Sequence, residues 1–207
     1  MRIQVTGTSF YAPPRVETAE DLAPRIGRSA SWIVSRTGVE RRHVAEESLV
    51  SMRAKAASPL LRPETPPDLV ISAATSPAQV LPDGSALLQR ELGFEGIPGF
   101  TLHSTCLSFL VGLHTAGSLL HAGAYRRVLL VSSEISTTSR NFDQPESAAV
   151  LGDGAAAALL EPTPDGESSA LLAWSMKTWP SGAHLATFPG LGIHYNGQTP
   201  NTRPEDF

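Results

Sequence analysis

Three short apolar runs constrain this chain more than any other feature. They are Asp68-Leu69-Val70-Ile71-Ser72-Ala73, Arg127-Val128-Leu129-Leu130-Val131-Ser132-Ser133 and the stretch from Ala155 to Leu160. Compact runs of this kind read as strands covered on both faces. Helical signals stand between and before them. Thr18-Ala19-Glu20-Asp21 is a helix start, Ser29 to Arg36 is a second short helix ending at Gly38, and Glu46 to Ala56 is a third, stopped by Pro59. Pro82-Asp83 opens a fourth helix through Leu92, with Gly93 as its C-cap. Ile3 to Thr6 reads as an opening strand and Ala170 to Met176 as a late one, after a linker from Pro162 to Ser168. Strands alternating with helices at this spacing predict an α/β layered fold around a largely parallel, buried sheet. From Ser181 to Phe207 no periodicity is visible.

Composition excludes several classes. Sixteen basic residues against twenty acidic ones give a formal charge of −4, which offers no electrostatic case for nucleic acid or an anionic membrane. No apolar stretch is long enough to span a bilayer, and the N-terminus lacks a charged-then-apolar signal layout. The single cysteine excludes an intrachain disulfide framework and a cysteine-based zinc cluster, so a soluble protein of the reducing cytoplasm is expected.

That cysteine, Cys106, stands in Gly99-Phe-Thr-Leu-His-Ser-Thr-Cys-Leu-Ser-Phe-Leu-Val-Gly-Leu. Gly99 to Ser104 reads as extended. Leu107, Leu110, Val111, Leu113, Leu119 and Leu120 then recur as in a mostly buried helix, with Gly123 as its stop. Cys106 is therefore expected at a strand-to-helix turn, on the first turn of the helix. There backbone N–H groups and the helix dipole favour a thiolate and an oxyanion beside it. The plainer reading is a small buried hydrophobe.

Other chemistry-bearing residues are weaker signals. His103 is close to Cys106 in sequence, but on a preceding strand its ring need not face the sulfur. His43, His114, His121, His184 and His194 show no metal-ligand spacing, and no metal is expected. The acidic residues form no acid–base pair.

Three motifs, in order, carry a resemblance: Trp32-Ile-Val-Ser-Arg36-Thr-Gly38-Val-Glu-Arg-Arg42, Ser104-Thr-Cys106-Leu-Ser-Phe109 and Gly152-Asp153-Gly154-Ala-Ala-Ala157, with Ala74-Thr-Ser76 through Leu81-Pro82 fitting between the first two. Together they resemble β-ketoacyl-acyl-carrier-protein synthase III and its relatives in the thiolase superfamily. The resemblance runs to about Leu160 and is thinner from Pro180 to Phe207. It implies a thiolase-like layered αβαβα architecture, with the first half complete over residues 1–162 and the second only begun over 163–207. It also implies a homodimer that needs no cofactor beyond the coenzyme A thioester it uses as substrate. The implied activity is an acyltransferase. An acyl group taken from acyl-coenzyme A is held on Cys106 and condensed with a malonyl donor on acyl carrier protein, with loss of carbon dioxide, in fatty-acid or polyketide-like biosynthesis.

By the same resemblance, Trp32 and Arg36 hold the coenzyme A nucleotide at the pocket mouth, and Leu81 crosses the dimer interface to help close the partner's acyl pocket. The Gly152-Asp153-Gly154 loop is structural, its glycines permitting close backbone approach. Each residue keeps a plainer alternative: Trp32 as a core or surface aromatic, Arg36 as a cation at a helix C-terminus.

Departures from the pattern qualify this. The family's catalytic histidine and asparagine, and a glycine loop of the oxyanion hole, fall beyond Phe207. The expectation is an N-terminal part, completed by a separate C-terminal half or a partner subunit and leaving apolar surface to be covered. Leu107 stands where a small residue is usual, which resembles enzymes condensing two acyl-coenzyme A molecules head to head. A non-catalytic partner subunit of a condensing enzyme is the other alternative. The arginine that stacks adenine against the tryptophan is missing near Gln144-Pro145-Glu146; Arg140 lies earlier, and Arg28 replaces a small polar residue.

Overall fold

The computed structural model describes residues 1–79 and 81–187; His194 and the end of the aperiodic tail lie outside them. Its centre is a five-stranded sheet in the order β1-β7-β6-β4-β5. The strands are β1 (Ile3–Tyr11), β4 (Leu69–Ala73), β5 (Gly99–Leu102), β6 (Val128–Ile135) and β7 (Asp153–Pro162). The three apolar runs are thus β4, β6 and β7. The sheet is not largely parallel, however. β4 runs parallel to both β5 and β6, while β7 is antiparallel to β6 and to β1, so the sheet is mixed.

Alternation along the strands explains why both faces are covered. Leu69, Ile71 and Ala73 of β4 and Val128 and Leu130 of β6 face one way. Val70, Leu129 and Val131 face the other. The second face packs on α3 (Leu49–Ala57), which supplies Met52, Ala56 and Ala57, and on Leu88 of α4 (Gly84–Leu92). The first packs on α5 (Ser108–His121) through Ala116 and Leu120. Gly112 lets α5 lie close: a Cβ there would come within 2.7 Å of Leu130 Cδ1. The result is a layered α/β arrangement, with helices on both faces of the sheet.

α5, expected to be mostly buried, is buried along one stripe. Ser108, Gly112, Ala116, Gly117 and Leu120 are buried, whereas Leu107 and Leu110 stay 45% and 51% exposed. A helix against one sheet hides one stripe only, and among the described residues Leu107 and Leu110 stay uncovered.

Beside the sheet, a hairpin of β2 (Arg15–Thr18) and β3 (Arg41–Val44) accompanies α1 (Ala19–Ile26) and α2 (Ala30–Thr37). Local capping sets the bounds of both helices. Thr18 and Asp21 form a reciprocal capping box, Ser29 accepts from Trp32 N at 3.1 Å, and Gly38 closes α2 with φ +71°. A third apolar cluster joins Leu22, Ile26 and Ile33 to Ala148 and Ala149 at the end of the short α6 (Pro145–Ala148), with Trp32 and Phe142 at its edge.

Contacts group Met1–Leu172 into one compact unit and Ala173 onward into another. The strand expected over Ala170–Met176 does not form. Met1 and Leu171 exchange backbone hydrogen bonds, but no ladder continues from them, and an apolar run without a partner cannot be a strand. Among the described residues of the second unit the only regular element is a 3₁₀ turn, Pro180–Gly182.

Candidate active site

β5 leads through His103 and Ser104 into the turn that carries Cys106. Thr105 takes a left-handed backbone, φ +49°, the only non-glycine among the described residues to do so. For a β-branched residue this is a strained conformation, costing on the order of 1–3 kcal/mol. The turn is held from both sides. Leu107 N donates to Ser104 O at 3.1 Å and Ser108 N to Thr105 O at 3.0 Å. Ser108 Oγ accepts from Ser104 N at 2.9 Å and lies 2.6 Å from Thr105 O and 3.2 Å from Ala74 O, the acceptors for its own proton.

Cys106 is exposed at the crest of this turn. It stands just before the Leu107 N-cap, two residues ahead of the first helical residue, rather than on the first turn of α5 as expected. The left-handed Thr105 delays the helix. Cys106 thus lies outside the helix, just ahead of its N-terminus. It is not the buried hydrophobe of the plainer reading. His103 is turned to β4, with Nδ1 3.3 Å from the Ala74 carbonyl oxygen.

An open recess of about 390 Å³ begins at Phe109, one residue beyond Ser108. Ser132, Ser133 and Glu134 of β6 and Gly154, Ala155 and Ala156 of β7 form its wall. Small side chains on two adjacent strands make the space. Glu134 does not face it as a free acid: its two oxygens accept from Thr75 N at 2.5 Å and Ser76 N at 3.1 Å.

Trp32 is half-buried on α2, against the cluster around Ile33. Arg36 follows one turn later and is exposed, so the two share a face. The guanidinium of Arg28 stands 5.4 Å from the centroid of the Trp32 ring, within cation–π range. Arg140 cannot serve there. Its side chain is 4% exposed and paired with Glu17.

Leu81 is 82% exposed on the loop between β4 and α4. Asp83 anchors the end of that loop. Its Oδ1 accepts from Ser85 N and its Oδ2 from Thr101 N, at 2.8 and 3.1 Å. Burial pushes the Asp83 carboxyl up, but the hydrogen bonds from Ser85 and Thr101 outweigh it and hold the pKa below the ordinary value.

The Gly-Asp-Gly motif lies partly in β7 rather than in a loop. A Cβ on Gly152 would come 3.2 Å from Arg42 Cβ, a close approach that the glycine permits. Sequence reasoning overlooked the residue between the glycines. Asp153, 8% exposed, accepts from Ala45 N at 2.7 Å, Thr137 N at 2.9 Å and Thr137 Oγ1 at 2.6 Å. It ties the exit of β3 to the end of β6. An acid enclosed by two glycines was the available signal. Among the described residues no group of three or more His, Cys, Asp or Glu could hold a metal ion. Among the same residues no helix is long and apolar enough to cross a membrane.

A strained turn presents a cysteine between the edge strand β5 and α5. The family model for 3-oxoacyl-[acyl-carrier-protein] synthase III matches residues 100–180, the segment that contains this turn. The chain is related to the synthase III family. A β-ketoacyl-[acyl-carrier-protein] synthase III of Deinococcus deserti is 36% identical over 172 residues, which are 80% of this chain and 49% of that protein. One of Methylococcus capsulatus is 37% identical over 164 residues, 76% of this chain and 51% of that protein. The crystal structure of the synthase III of Pseudomonas aeruginosa superposes with a TM-score of 0.84 at 28% identity, covering 93% of this chain and 62% of that one. The chain thus spans about half the length of these two curated relatives.

Proposed function

We propose that this chain carries the acyl-accepting half of a decarboxylating condensing enzyme, with Cys106 as the nucleophile. The thiolate of Cys106 attacks the thioester carbonyl of acyl-coenzyme A. A new carbon–sulfur bond forms, the bond to coenzyme A breaks, and coenzyme A leaves as a thiolate that takes up a proton. Malonyl-carrier then loses carbon dioxide, and the resulting carbanion attacks the acyl carbon. The Cys106 sulfur leaves, and a β-ketoacyl-carrier is released. The residues described here account for the transfer step alone.

One observation carries the reading: an exposed cysteine at a left-handed turn, outside the N-terminus of a helix packed on the central sheet. A cysteine serving only to pack would be buried. Trp32, Arg28 and Arg36 form an aromatic surface flanked by two cations, suited to the adenine and phosphates of coenzyme A. The recess behind Phe109 has apolar walls suited to an acyl chain. Leu81 extends from its anchored loop as an apolar side chain for a second subunit to bury. The test is product formation by the protein that carries this chain, given acyl-coenzyme A and malonyl-carrier. β-Ketoacyl-carrier and carbon dioxide should form in equal amounts, and Cys106→Ala should abolish the β-ketoacyl-carrier; undiminished product in that variant would refute the assignment.

A further inference from the structure

The hairpin beside the sheet holds a buried cationic cluster that has no part in the reading above. Glu17 of β2, 5% exposed, accepts from Arg25 of α1 at 3.0 Å and from Arg140 at 2.5 Å. Its cross-strand partner on β3 is Arg42, 4% exposed. Arg42 reaches one acceptor, the carbonyl of Ala148, 3.5 Å from Nη1 and so at the limit of a hydrogen bond. Its Nε and Nη2 meet none among the described residues. Glu17 thus pairs with Arg25 and Arg140, while Arg42 stands opposite it on β3 and makes no hydrogen bond to it. Asp153, whose motif neighbour Gly152 abuts Arg42, is already committed to Ala45 and Thr137.

The chemistry of arginine narrows what can relieve this. A lysine so placed could lose its proton; a guanidinium remains charged in proteins. Burial pulls the Arg42 pKa down, the carboxylate of Glu17 opposes that, and the positive charge of Arg140 adds to the burial effect. A buried charge without a counter-charge is strongly unfavourable, and the one carboxylate beside Arg42 is already paired with Arg140 and Arg25. The cluster also has an accessible edge. Arg25 is 47% exposed at its side chain and lies 4.2 Å over the ring of Phe142.

We propose that this cluster is a binding site for one small monovalent anion of the size of chloride, held by Nε and Nη2 of Arg42 and offsetting the repulsion between Arg42 and Arg140. Such an ion joins the β2–β3 hairpin to the 140–149 segment. It thereby stabilises the folded chain, whatever chemistry Cys106 performs.

Two measurements on the same protein test this. Crystals grown with bromide in place of chloride should show an anomalous peak beside Nε and Nη2 of Arg42. The melting midpoint at fixed ionic strength should rise with chloride and saturate; Arg25→Gln should require more chloride, and Arg42→Met should remove the dependence. A site without anomalous signal, its donors met by water or by a side chain, would overturn the proposal. So would a bromide peak with a chloride-independent midpoint, which would mean an adventitious ion only.

Discussion

Ser108 and Ser104 are joined across the turn that carries Cys106, with Ser104 N donating to Ser108 Oγ at 2.9 Å. The same hydroxyl reaches the carbonyl of the strained Thr105 at 2.6 Å. One side chain therefore fixes the backbone on both sides of a conformation that the sequence alone disfavours. Ser108→Ala removes that tie and leaves the Ser104 N–H without its acceptor, at a cost of about 1–3 kcal/mol. Denaturant unfolding should show the loss. Acyl transfer to Cys106 should slow several-fold, while transfer to an exposed thiol of a control protein stays constant.

Arg28 and Arg140 separate binding from stability. Arg28 stacks over Trp32 near the exposed Arg36, whereas Arg140 is buried against Glu17. Arg28→Ala should raise the concentration of acyl-coenzyme A needed for half-maximal acylation several-fold and leave the melting midpoint nearly unchanged. Arg140→Gln should do the reverse, destabilising by about 3 kcal/mol because Glu17 loses one of its two partners inside the protein. Equal effects of the two changes on acyl-coenzyme A would remove Arg28 from the nucleotide site.

Asp83 makes a pH prediction with a definite sign. Its folded-state pKa lies below the ordinary value, so its ionised form stabilises the fold. That contribution is complete above the unfolded value of about 3.9 and is lost as pH falls through the lower folded one. Asp83→Asn should flatten the stability profile in that acidic window and loosen the Leu81 loop. Unfolding free energies measured from neutral pH into the acid range check it; a variant with an unchanged slope would contradict it.

Local signals were legible and distant ones were not. Thr18, Ser29, Asp83, Gly38 and Gly93 all cap helices where the sequence puts them, because capping acts within one turn. The buried strands were legible because apolar runs need no knowledge of their neighbours, but the direction of pairing depends on the whole sheet, and β7 proved antiparallel to β6. The β2–β3 hairpin escaped notice, since its four-residue strands carry Arg15, Glu17, Arg41 and Arg42 and read as polar surface. The Cys106 turn was placed to within two residues. The left-handed Thr105 was not foreseen, as threonine is a poor residue for that conformation. Glu134, Asp153 and Arg140 were missed because they bind groups 59, 108 and 123 residues away. Such pairings become visible only once the fold brings them together.

Cys106 as acyl acceptor is the central claim, and intact mass tests it most directly. The protein is weighed before and after brief exposure to acyl-coenzyme A, beside Cys106→Ala, with the adduct mapped by peptide fragmentation. The account predicts one added acyl group per chain, located on Cys106 and absent from the variant. An unmodified protein, or an adduct that persists in Cys106→Ala, would contradict it.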